Sequence, residues 1–405
     1  MEVVYEAVFS FSEGYNYLNR QVCSEFREMI PEVDPVLYLD CLCRDGRVEQ
    51  QLNLGIEIAT KVQDFGYVSI LQWSKRECIP SNICYVAANK GYLEVLQWTR
   101  ANGFSMDEYV CADAARGGHL EVLKWLRANG CPWNESTCSR AAENGHLEVL
   151  KWARSQGCPW DDYTCREAVE NGRLEVLQWA CANGCEYDHE EICLGAAWGG
   201  HLEILKWACS QGWSLDESIC ANAADNGHLE VLQWLREHDC PWDERTCSYA
   251  AANGHLEILQ WARANGCPWN EGTCANAAGG GHLEVLQWLR ANGCPWHENT
   301  CSHAADEGHL EVLKWAHTNG CPWDENTCSH AAENGHLEVL QWVRSVNCPW
   351  DERTCAYAAA NGHLEILRWA RANGCPWNKS TCSRAADGGH LEVLQWAREN
   401  GCPEN

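Results

Sequence analysis

Three residue types recur in this chain at spacings that could do chemistry: 28 cysteines, 16 histidines and 23 tryptophans in 405 residues. The cysteines come in pairs seven apart, as in Cys240/Cys247, Cys267/Cys274, Cys294/Cys301 and Cys321/Cys328, with a histidine eight residues further on. Zinc needs four convergent ligands, and its signatures place two of them two to four residues apart. No CxxC occurs here, and Cys41 and Cys43 enclose a single residue. A small buried apolar side chain is a role that free cysteine fills well. Core packing is therefore the reading adopted, with a thiol-rich redox or metal-binding protein as the alternative.

Ten of the histidines, from His119 to His390, occupy one place in a repeated string. Histidine changes charge near neutrality, so such a ladder could act as a pH switch or a metal column. Stacked helices sit about 8–10 Å apart, too far for adjacent imidazoles to share an ion. A structural role is the reading adopted instead. Thirteen tryptophans, Trp73 to Trp396, also share one place, and eight more, Trp133 to Trp377, follow Cys-Pro. Rows of aromatics stack single-stranded nucleic acid only beside a positive groove. Here 57 acidic residues face 30 basic ones, a formal charge of -27, which repels phosphate backbones and anionic lipid. Neither nucleic acid nor membrane is an expected partner. The thirteen are read as fillers of a thin core, each burying about 150–250 Å², and the eight as fillers of space beside the short loops.

These positions belong to a repeat. Gly-His-Leu-Glu, then Val or Ile, Leu, a long polar residue and Trp, returns every 27 residues, with GRLEVLQW from Gly172, GYLEVLQW from Gly91 and a weaker GYVSILQW from Gly66. CEYDHEEIC, Cys185 to Cys193, is one residue longer than CPWDERTC, Cys240 to Cys247; the extra residue is expected in the loop. Residues 240–266 parse as a unit. Asp243 caps a first helix, Gly254 ends it in positive φ, HLEILQWARAN forms a second helix with an apolar stripe, and Gly266, Cys267 and Pro268 close it. Two helices of about ten residues are marginal alone, so stacking on neighbours must supply the core.

AAENGHLEVLKWARSQGC, Ala141 to Cys158, resembles the ankyrin repeat, in which two alanines precede a glycine hinge and a second helix. The resemblance covers roughly Gly91 to Cys402 and departs in two respects. The unit is about six residues shorter than the usual 33, the shortfall lying where an ankyrin repeat forms its β-hairpin finger, and Thr-Cys replaces Thr-Pro-Leu-His. The resemblance implies an all-α, ankyrin-like helix-turn-helix solenoid that serves as a protein–protein interaction scaffold. Domains are expected at 1–50 (a small helical N-terminal segment), 51–90 (degenerate first repeats) and 91–405 (the array).

Within the first helix, Thr246, Cys247, Ala250 and Ala251 hardly vary among copies, whereas the places of Arg245, Tyr249 and Ala252 do. At about 100° per residue, offsets of zero, four and seven share one arc. A constant face opposite a varied one is the layout of a binding groove, and equally of drift at an unconstrained surface. As a groove, its candidate partner-binding residues are Arg140, Arg245, Tyr249, His303, His330, Arg353, Tyr357 and Arg384; the ankyrin resemblance implies that they line a concave side. A partner with acidic or aromatic residues at about 10 Å intervals would fit. The last copy, His390 to Gly401, repeats internal ones almost unchanged, so fraying or weak self-association is expected there.

EVVYEAVFSFSEGYNYLNRQVCSEFREMI, Glu2 to Ile30, resembles an F-box. That resemblance implies docking to a Skp-type adaptor of a cullin-type ubiquitin ligase, with Phe9, Val22, Cys23 and Phe26 as the contacts, and an array that selects substrates. The alternative is a helical cap on the first repeat. No apolar run approaches the roughly 18–20 residues of a membrane helix and the start is acidic, so an intracellular, cytoplasmic or nuclear protein with reduced thiols is expected. No nucleophile–base pair, phosphate loop or carboxylate pair marks one chemical centre; neither catalysis nor a cofactor is expected.

Overall fold

Each copy folds through the same local decisions. Ahead of the helix Glu244–Ala252, Asp243 is extended and its carboxylate accepts from the Arg245 N–H at 2.9 Å. Asn134, Asp216, Asp324, Asp351 and Asn378 cap their helices in the same way, satisfying one of the orphan donors of the first turn. Gly254 then takes φ +77°, and the chain turns so that the His255 N–H bonds the Ala250 carbonyl at 2.8 Å. The second helix, Leu256–Ala264, ends likewise at Gly266, φ +85°, with Cys267 N–H on the Ala262 carbonyl at 2.9 Å. Both closures are of the left-handed C-cap type. Asp239 and Asn347 stand in the second glycine's place in two copies, at φ +58° and +66°, a conformation that Asp and Asn tolerate better than most side chains.

The computed structural model describes residues 39, 40, 43, 44, 66–74 and 79–403. Among them are 25 helices and no strand, so the architecture is all-α and built of helix-turn-helix copies. Within each unit, first helices pack against the first helices of adjoining copies, and second helices pack on their own first helices. Thr246, Cys247, Ala250 and Ala251 are fully buried between first helices, where small side chains permit close approach, with Ile258, Leu259 and Ala262 of the second helix beneath them. No helix among the described residues is long and apolar enough to cross a membrane.

The chain divides into two compact units, residues 1–188 and 189–405. In the first, the described helices run from Val68–Trp73 to Leu174–Ala182; in the second, from His189–Trp198 to Leu391–Glu399. The division falls inside the long segment Cys185 to Cys193. Its extra residue was expected in the loop, but it lengthens a helix instead. His189–Trp198 has 10 residues against 9 in Glu244–Ala252. The added residue precedes the buried Ile192, Cys193, Ala196 and Ala197, so it rotates nothing that packs.

The second-helix tryptophans also depart from expectation. Trp261 is only half-buried, because the space between helices is already filled by Leu259, Ile258 and the alanines, and its ring lies outward toward the loops. Of the expected N-terminal segment, only Leu39, Asp40, Cys43 and Arg44 are described, and all four are helical. Phe9, Val22, Cys23 and Phe26 lie outside the described residues.

Candidate functional site

The histidine column is an inter-repeat strap. In His119, His146, His228, His255 and His363, Nε2–H donates at 2.9–3.0 Å to the carbonyl of the residue 30 positions earlier, as His119 does to Asn89 and His255 to Asp225. The ring lies flat against the hinge glycine of the preceding copy: a Cβ on Gly254 would sit 2.6 Å from His282 Nδ1. Where the copy reads GRLE, Arg173 takes over, its Nε donating to the Glu143 carbonyl at 3.1 Å. Burial lowers the pKa of His146 and His282, so these rings favour the neutral form. Among the described residues no group of three or more His, Cys, Asp or Glu is placed to hold a metal ion.

The described cysteines are free, and all but Cys181 and Cys209 are buried. Their spatial partners are not the sequence pairs seven apart. The first-helix thiol meets the loop thiol 20 residues later, in Cys220/Cys240 with Sγ atoms 3.6 Å apart, and again in Cys138/Cys158, Cys247/Cys267 and Cys355/Cys375. The loop thiol in turn donates to the carbonyl of the capping residue, as Cys240 to Asp216 at 3.3 Å and Cys267 to Asp243 at 3.5 Å. Hydrogen bonding to the loop sulfur, then burial, pushes the Cys138 and Cys247 thiols far above their usual range. These first-helix cysteines stay protonated and join helix to loop as core residues, while the same hydrogen bond lowers the pKa of a loop partner such as Cys158.

A second ladder runs over the loops, and sequence reasoning missed half of it. Seven of the eight loop tryptophans lie under a guanidinium 3.9–4.3 Å from the ring centroid, as Trp269 under Arg263, and His317 stacks on the eighth, Trp323, at 3.8 Å. Each of the eight also meets the second-helix tryptophan of the next copy edge to face, at 5.7–6.1 Å, as Trp242 does Trp261. The arginine further donates to the loop cysteine's carbonyl, as Arg263 to Cys267. The signal was an Arg or His six residues before each loop tryptophan.

The varied faces are exposed or half-exposed, and their charges are largely occupied. In the unit ending at Asp188, Arg140 bonds Glu143 at 2.8 Å, a carboxylate that Arg116 also holds at 2.7 Å. In the unit starting at His189, Arg245 bonds Asp243 at 2.7 Å and Glu217 of the preceding copy at 3.5 Å, and Arg353 bonds Asp351 at 2.7 Å and Glu325 at 3.2 Å. His330 Nδ1 lies 3.8 Å from the Asp306 carboxylate. Arg384 covers the Tyr357 ring at 4.8 Å, while Tyr249 is 39% exposed. His303 borders a shallow recess with Ala252, Asn276, Gly279, Asp306 and Glu307, opened by the small residues at two of the varied places.

Two stretches of this array, residues 111–154 and 220–263, match the family model described as ankyrin repeats (many copies). They are similar to ankyrin repeats. No curated protein matches the chain. Among solved structures, the human ASB11 ankyrin repeat domain matches at 20% identity and TM-score 0.34, over 39% of this chain and 84% of that one. Ankyrin repeats imply a protein–protein interaction scaffold. After the pair spanning 240–266 the chain goes from Cys267 to the helix Glu271–Gly279 with three residues between, which leaves no room for a hairpin finger. The Arg-capped tryptophans occupy these short loops and add a contact to the next helix pair.

Proposed function

We propose that the array is a protein-binding scaffold whose partner, an extended segment, lies along the varied faces of the first helices from Glu244–Ala252 to Lys379–Asp387. The observation that carries this reading is the division of a single helix: Thr246, Cys247, Ala250 and Ala251 are fully buried, while Arg245 and Tyr249 on the same helix reach solvent, and Arg353 and Tyr357 repeat the pattern. The guanidiniums are held in place by acids on two copies, which lowers the entropy lost when they bind. An acidic partner would have to compete with Asp243 and Asp351, so aromatic and hydrogen-bonding contacts to Tyr249, His303 and Tyr357 carry more of the recognition. The test is capture of partners by the full chain and by a variant with Arg245, Tyr249, Arg353 and Tyr357 all changed to Ala. Retained helicity with lost capture is the expected result; unchanged capture moves the site elsewhere.

The narrower role, a substrate adaptor of a cullin-type ubiquitin ligase in the cytoplasm or nucleus, rests on the resemblance of Glu2 to Ile30 to an F-box. Co-purification with a Skp-type adaptor that is lost on changing Phe9 and Phe26 to Ala would support it, and no co-purification would remove it.

A further inference from the structure

One cysteine cluster breaks the pattern of buried thiol pairs. In the pair Asp162–Glu170 and Leu174–Ala182, the buried Cys165 hydrogen-bonds to two thiols, Cys181 and Cys185, where other copies offer at most one. Cys185 is the ordinary loop partner, buried and donating to the Asp161 carbonyl at 3.2 Å. Cys181 is the additional one. It stands on the second helix where most copies carry the arginine that covers a loop tryptophan, and this loop has Tyr187 in place of that tryptophan. With no guanidinium over it, Cys181 is half-exposed, whereas Cys165 beneath it is buried. The Tyr187 side chain also hydrogen-bonds Cys181.

We propose that Cys181 is a site of reversible oxidation by hydroperoxides, with Cys165 as its resolving thiol. An accessible thiol backed by a second one is the arrangement that favours sulfenic acid formation followed by a disulfide. The Cys181 thiolate attacks one peroxide oxygen; an S–O bond forms, the O–O bond breaks, and the leaving oxygen departs as water or an alcohol after taking a proton. The Cys165 sulfur then attacks the Cys181 sulfur, an S–S bond forms, and the sulfenic hydroxyl leaves as water with the Cys165 proton. Two thiols lose two electrons in all and the peroxide gains them. The hydrogen bonds from Cys165 and from Tyr187 lower the Cys181 pKa against the opposing effect of burial, and thiolate fraction governs such reactions.

The chain supplies its own control. Cys209 occupies the same place in Leu202–Ser210, is also half-exposed, and lies in a copy whose loop has Leu215 where others have the guanidinium-covered tryptophan, with Trp213 two residues earlier against Trp207. Burial raises its pKa, and no thiol donates to it among the causes of that shift. Accessibility alone would make the two cysteines equally reactive, whereas the cluster makes only Cys181 so.

The experiment uses the full chain, reduced, freed of reductant and treated with hydrogen peroxide under non-denaturing conditions. Residual thiols are blocked and the peptides read by mass spectrometry. The expected result is alkylation of Cys181 at least about tenfold faster than of Cys209 before peroxide, and after peroxide a Cys165–Cys181 disulfide that reductant reverses. In a Cys165→Ala variant, a sulfenic-acid probe should label Cys181. Equal alkylation rates at Cys181 and Cys209, or the absence of a Cys165–Cys181 link in the folded wild-type chain, overturns the proposal; both readouts hold even if the variant fails to fold. The reading is independent of the binding function proposed above.

Discussion

Two glycines in one repeat offer a measurement of what the histidine strap contributes. Gly254 and Gly266 both have positive φ, +77° and +85°, so alanine at either costs about 1–2 kcal/mol for the left-handed backbone. Their surroundings differ. An added Cβ at Gly266 meets nothing within 4 Å, whereas at Gly254 it lies 2.6 Å from His282 Nδ1. The ring has to leave, and with it goes the hydrogen bond to the Ala252 carbonyl, worth about 1 kcal/mol net. Gly254→Ala should therefore destabilise by about 2–3 kcal/mol and Gly266→Ala by about 1–2 kcal/mol. In a His282→Ala background the two substitutions should cost the same, a coupling of about 1 kcal/mol in the double-mutant cycle. Urea unfolding gives the energies, and hydrogen exchange in residues 240–293 reports them where unfolding is local, as it is in repeat arrays. Equal costs in the wild-type background, or a difference that survives His282→Ala, refutes the strap.

Three further outcomes follow from single contacts. His297 sits where other copies have a capping Asp or Asn; its Nδ1 accepts from the Asn299 N–H at 3.0 Å, yet its helix begins only at Thr300. His297→Asp keeps an acceptor there and adds negative charge at the helix start, so it should extend the helix and add about 0.5 kcal/mol of stability in thermal unfolding. Arg263→Ala removes the cover of Trp269 and the donor to the Cys267 carbonyl and should cost about 1–2 kcal/mol, while Arg263→Lys keeps the charge and recovers less than half of it, as urea midpoints will tell. His146 and His282 have pKa values lowered from 6.5 by burial, so the unfolded chain binds their protons first. Their contribution is complete above about pH 6.5 and lost as the pH falls through the lowered values, and replacing both by Gln should flatten the stability profile between about pH 7 and 5.5.

What could be read from the sequence was whatever one repeat decides for itself. Asp243 as a cap and Gly254 and Gly266 as stops depend on bonds spanning two to five residues, and the fold has them where the 27-residue period put them. Contacts between copies were invisible. Cys247 lies seven residues from Cys240 in sequence, yet its sulfur faces Cys267, because Cys240 closes the preceding copy and pairs with Cys220. Trp261 looked like core because its place is constant, but constancy also follows from meeting an equally constant loop tryptophan, Trp242, edge to face.

The same limit applies to the varied face. Sequence variation separates Arg245 and Tyr249 from the constant Thr246 and Cys247, but it cannot say which charges are spent inside the array. Glu217 and Glu325 come from the copy before and reach Arg245 and Arg353 across the repeat boundary, so a row of arginines in the sequence is a row of ion pairs in the fold. Exposed pairs of this kind contribute about 0–1 kcal/mol to stability. Their larger consequence is for recognition, since each pins a planar side chain and removes its net charge. A net charge of -27 can still set which partners approach; what they meet on arrival is a surface of fixed planar groups, Tyr249, Tyr357 and paired guanidiniums, that selects by shape and hydrogen-bond geometry more than by sign.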